Sequence, residues 1–83
     1  MAAHFNMESQ KKFNRSLGRI IRQWRQQGKF YKSVSALAST MEISPRQLKR
    51  YECGQSALPL WRFIQICALL KAESDSQNEQ NLP

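Results

Sequence analysis

The stretch that most limits what this chain can become runs from Val34 to Gly54, VSALASTMEISPRQLKRYECG. It divides into two short helical patterns around a tight polar turn. In the second, Ser44 is placed to cap a helix, and Pro45 suits the first turn, where its missing N–H is not needed. Gln47 stands three residues after Ser44, as in a capping box. Gly54 follows Tyr51-Glu52-Cys53, where a left-handed residue would end the helix. Leu48 and Tyr51 lie one turn apart and can face a core. Arg46, Gln47, Lys49 and Arg50 are left pointing outward. Arg and Gln are the side chains that pair bidentately with guanine and adenine edges in the major groove of double-stranded DNA. A plain solvated helix face rarely carries four such donors with no acid among them.

The distribution of charge agrees. The net charge is +7, but all 13 Lys and Arg fall between Lys11 and Lys71, where Glu42 and Glu52 are the only acids, a surplus of eleven. A folded segment so charged suits a polyanion, most often nucleic acid. Lys29 and Lys32, in the basic-aromatic run KFYK, are candidate phosphate ligands, and so is Arg62. Ser44 is a cap first, and its hydroxyl can also donate to a phosphate.

The remaining organisation is that of one small domain. Residues 1–7 have no helical pattern and are expected to be loose. From Glu8 to about Gln27, Phe13, Leu17, Ile20, Ile21 and Trp24 recur on one helical face. Gly18 within that run signals close packing against a neighbour, and Gly28 ends it. Phe30 is expected to tuck into the core. Ser33 can cap a second helix, whose Val34, Leu37, Ala38 and Met41 repeat at helical spacing, with Ile43 plugging the turn. The third helix is expected over 45–52.

A fourth helix, about Leu60 to Lys71, is apolar nearly all round. Trp61, Ile64, Cys67 and Ala68 make one stripe, and Phe63, Ile66 and Leu70 another. A small monomer cannot bury both within itself, so Phe63, Ile66 and Leu70 are assigned to a homodimer or partner surface, the alternative being that the long first helix covers them. Trp24, Trp61, Phe13, Tyr51 and Cys67 are assigned to the core. Residues 72–83, AESDSQNEQNLP, are polar and acidic and are expected to be disordered, leaving 8–71 as the folded domain.

Several function classes find no support. His4 is the single histidine and there is no CxxC, so no metal or other cofactor is expected. No paired carboxylates or Gly-rich phosphate loop suggest a catalytic site, and the chain is read as no enzyme. Cys53 and Cys67 read as free thiols of a reducing cytoplasm. The longest apolar run, Ile64 to Leu70, is too short to span a membrane, and the first residues do not look like a signal peptide.

Taken in order, Leu17-Gly18, Ile21-Arg22, Trp24-Arg25, Leu37-Ala38, Ile43-Ser44, Tyr51-Glu52, Gly54 and Pro59 resemble the Cro/repressor-type (Xre-like) helix-turn-helix family. The resemblance covers roughly residues 15 to 71. It implies an all-α, lambda-repressor-like bundle of four or five helices that binds duplex DNA, with the third helix in the major groove. By position, Ser44, Arg46, Gln47, Lys49 and Arg50 fall where the family contacts bases or adjacent phosphates. An Arg late in the first helix pairs in related domains with the Glu after the recognition helix, which implies a structural ion pair between Arg25 and Glu52.

Three departures bear on this. Val34 stands where the family often has a phosphate-holding Gln, and Glu42 where the turn often has Gly, which puts the turn geometry in doubt. The connection carrying KFYK is longer than usual. The function expected is therefore a cytoplasmic, nucleoid-associated transcriptional regulator of a phage, plasmid or bacterium, bound to DNA as a homodimer. The alternatives are an adaptor that docks a protein partner on the fourth helix, and a nonspecific DNA-binding protein.

Overall fold

The computed structural model describes residues 7–80, with side chains through Ser74. Four helices follow one another: α1 (Met7–Gln26), α2 (Val34–Met41), α3 (Pro45–Cys53) and α4 (Leu60–Gln80). No strand occurs among the described residues, and the chain is a small all-α bundle.

Local chemistry sets most of the boundaries. The Ser33 Oγ accepts from the Ala36 amide at 3.4 Å and starts α2. The end of α2 is a Schellman turn: Ile43 N–H donates to Ala38 O at 3.0 Å and Glu42 N–H to Ser39 O at 3.1 Å. Glu42 sits in the left-handed region, φ 60° and ψ 40°, so it adopts the conformation a glycine would take there. The doubt that Glu42 raised about the turn is thereby resolved. α3 closes the same way, with Gln55 N–H on Arg50 O at 2.9 Å, Gly54 N–H on Tyr51 O at 3.2 Å, and Gly54 at φ 78°.

The core is formed by Ile21, Leu37, Ala38, Met41, Leu48, Ile66 and Leu70, with Leu17, Val34, Ile43, Tyr51 and Phe63 packed partly against it. α1 meets α3 at Gly18. A Cβ there would fall on the Tyr51 carbonyl oxygen and 2.5 Å from that of Glu52, so the two helices touch backbone to backbone.

That contact explains the first correction. With α3 seated on Gly18, the buried line of α1 is Gly18, Ile21 and Arg25. Phe13, Ile20 and Trp24 fall to its flank and are exposed, although the periodicity puts them on the inner face. Tyr51, assigned to the core, is half-buried and packs against it from the edge.

α4 brings the second. Ile66 and Leu70 lie in the core and Phe63 is half-buried, so they cannot form the partner surface assigned to them. The opposite stripe is the outer one: Trp61 is 61% and Ile64 58% exposed, and Cys67 is only half-buried. α4 packs through one face alone, and that face is the one whose residues reach Ile21 and Leu48. Phe30 is also exposed rather than tucked in.

The third concerns the acidic segment. It was expected to be disordered from Ala72, yet α4 continues to Gln80. Glu73 is buried, and its Oε1 accepts from the backbone amides of Lys29 and Phe30. One carboxylate thus ties the last helix to the connection between α1 and α2. Of the four or five helices that the resemblance implies, four occur among the described residues, and residues 81–83 and 1–6 lie outside them.

Candidate nucleic-acid interface

α3 is held at both ends and along its inner side. The Ser44 Oγ accepts from the Gln47 amide at 3.1 Å, while the reciprocal bond of a full capping box does not form. Leu48 is fully buried and Glu52 nearly so. At the helical repeat, Arg46 and Arg50 lie one turn apart opposite Leu48, with Lys49 on one flank and Gln47 on the other. Arg46, Lys49 and Arg50 are exposed and Gln47 is half-buried. The four side chains expected to read bases therefore share the outer arc of one helix.

The expected ion pair is present. Arg25 Nε donates to Glu52 Oε2 at 2.7 Å and Nη2 to Oε1 at 3.1 Å, a buried two-pronged contact. The third prong, Nη1, donates to the Lys32 carbonyl. One guanidinium thus fixes the end of α3 and the residue before the cap of α2 to the same point on α1. Among the described residues this is the one ion pair, so no carboxylate neutralises Arg46, Lys49 or Arg50. Glu52 is spent inside, which keeps its negative charge off the outer face.

Around this joint, Arg22 of α1, Val34 of α2 and Lys49 and Cys53 of α3 line a shallow hollow. Lys29 and Lys32 are exposed on the connection leading to it. That connection is fixed by Glu73 at Lys29 and Phe30 and by Arg25 at Lys32, so both lysines are presented from anchored backbone. Ser44 is exposed at the start of α3.

Arg62 behaves differently from expectation. Its Nη1 donates to Met41 O and Gln65 Oε1, each at 2.9 Å, and its guanidinium lies 4.1 Å from the centre of the Trp61 ring. Arg62 closes a carbonyl at the C-terminus of α2, where a cation also suits the helix dipole. It is a cap turned inward rather than a phosphate arm.

Glu73 and its two amide partners were missed by sequence reasoning. The only hint was Gly28: a Cβ there would stand 2.5 Å from Glu73 Oε2, so the carboxylate needs the space that glycine leaves. Among the described residues no helix is long and apolar enough to cross a membrane, and no cluster of His, Cys, Asp and Glu could hold a metal ion. Comparison with models of protein families, with curated proteins and with solved structures finds no match to this chain.

Proposed function

We propose that this protein is a sequence-specific, double-stranded-DNA-binding transcriptional regulator of phage, plasmid or bacterial origin, of the Cro/repressor type. It would act in the cytoplasm, at the nucleoid, as a homodimer on a short two-fold site. The observation that carries the reading is the outer arc of α3: Arg46, Gln47, Lys49 and Arg50, unpaired by any acid, on a helix capped at both ends and locked to α1 by Arg25 and Glu52.

In this reading α3 enters the major groove, with Arg46 and Arg50 suited to guanine edges and Gln47 to adenine. Lys49 is long enough for a base edge or a neighbouring phosphate. Lys29, Lys32 and the Ser44 hydroxyl hold the backbone and set the register. Preorganisation matters because a groove-reading helix that must also fold on arrival loses affinity to ordering. Regulation would follow from occlusion or recruitment at the bound site.

The test compares fluorescence anisotropy on a preferred and a random duplex across a salt series. Arg46→Ala should erase preference at one base position, a loss of about 1–3 kcal/mol confined to the preferred duplex. Lys32→Ala should weaken both duplexes alike and lower the slope of log K against log salt by about 1. Equal losses on both duplexes for Arg46→Ala would contradict the assigned readout.

A further inference from the structure

Among the described residues no element covers the outer face of the first turns of α4. Leu60 is 72% exposed beside Trp61 and Ile64, and Ala68 is exposed one turn further on. α1, which packs against α4, also leaves Ile20 and Trp24 uncovered. Leu60, Trp61 and Ile64 thus make an exposed apolar stripe on the first turns of α4.

We propose that a second copy of this chain docks on this face, with its α4 antiparallel to the first and Ile64 at the two-fold axis. The sequence of the face is complementary to itself in that arrangement. Relative to Ile64, the large residues Leu60 and Trp61 lie four and three positions before it. The small residues Cys67 and Ala68 lie three and four positions after it. A two-fold axis through Ile64 sets Leu60 of each copy against Ala68 of the other, and Trp61 against Cys67. Large side chains then meet small ones, as close packing of two helices requires. Parallel pairing would set Trp61 on Trp61 and leave Cys67 and Ala68 facing a gap.

Charge selects the same occupant. Two copies of a basic protein repel each other, and they approach most readily through the face that carries least charge. On α4 the Arg62 guanidinium is turned onto Met41 O and lies over the Trp61 ring, and Glu73 is buried, so among the side chains described through Ser74 Lys71 is the exposed charge near the outer stripe. In the antiparallel pair the two Lys71 residues lie fourteen positions apart along the axis, about 21 Å at 1.5 Å per residue. That is well beyond the screening length of about 10 Å.

This surface deepens the two-fold reading above by giving the dimer its contact, but self-association is measured without DNA. Sedimentation velocity of the full chain at about 100 µM should show a dimer, and Ile64→Asp should weaken it at least tenfold. Circular dichroism of that variant should remain helical, since Ile64 is exposed. Ile64→Cys, with Cys53 and Cys67 replaced by Ser, should oxidise to a disulfide-linked dimer, whereas Thr40→Cys in the same background should not. A monomeric wild type at that concentration, or a dimer indifferent to Ile64→Asp and uncrosslinked through Ile64→Cys, would overturn the proposal. A dimer that binds no DNA would sink the proposed function and leave this surface standing.

Discussion

The contact most open to a decisive perturbation is that of Glu73 with the connection between α1 and α2. Glu73→Ala removes the acceptor of two backbone amides, those of Lys29 and Phe30. A buried donor left without a partner costs about 1–3 kcal/mol, and these amides are only partly buried, so the loss for the pair should be about 2–3 kcal/mol. A domain of this size has about 4–12 kcal/mol to lose. At about 4–8 °C per kcal/mol, the melting temperature should fall by roughly 10–20 °C. Glu73→Gln keeps one acceptor oxygen and loses only the charge assistance, so we predict a loss of about 1 kcal/mol. The unpartnered Oε2 of the native carboxylate limits what that charge contributes. The assay is thermal unfolding paired with amide hydrogen exchange: Lys29 and Phe30 should be protected in the native chain and in Glu73→Gln, and should exchange freely in Glu73→Ala. A Glu73→Ala protein melting within about 2 °C of the native one, a shift worth under 1 kcal/mol, would refute the reasoning. Fast exchange of both amides in the native chain would do the same.

Other perturbations follow from the same geometry. Glu52→Ala strands a buried guanidinium and should cost about 3–5 kcal/mol in chemical denaturation, while replacing both Arg25 and Glu52 by Met should recover much of it. Gly18→Ala drives a methyl into the Tyr51 and Glu52 carbonyls and should cost at least about 1–3 kcal/mol; a neutral result in thermal melting would mean α1 and α3 are less close than described. Glu42→Gly relieves a left-handed non-glycine residue and should raise stability by about 0.5–1 kcal/mol despite the added freedom of the unfolded chain. Burial pushes the Cys67 thiol above its ordinary value of 9.0, so the folded state favours the neutral form. Its contribution to stability is complete below that value and declines as the pH rises past it, which thiol alkylation rates and denaturation at alkaline pH would follow.

What could be read in the chain beforehand divides along a physical line. The boundaries of α2 and α3 were legible because caps are local chemistry: Ser33, Ser44 and Gly54 each act within a few residues of themselves. The outward arc of Arg46, Gln47, Lys49 and Arg50 was legible because Leu48 and Tyr51, one turn apart, fix which side of α3 is inside. On α4 the same logic fails, since both stripes are apolar and periodicity cannot say which one meets Ile21 and Leu48. The α1 face was misplaced for a related reason. Gly18 admits α3 so closely that the buried line turns away from Trp24 and Ile20, a consequence of packing that no hydrophobic count contains. The extension of α4 was hidden by the polar composition of residues 72–80, and its anchor links positions 44 residues apart.

The central claim is that α3 reads a DNA sequence, and the most direct measurement is selection of binding sites from a random duplex library at about 150 mM salt, where exposed charges are screened beyond roughly 8 Å. The account predicts an enriched motif with two-fold symmetry, lost when Arg46 and Gln47 are both replaced by Ala. Retention of bulk DNA with no motif, or no retention at all, would contradict it.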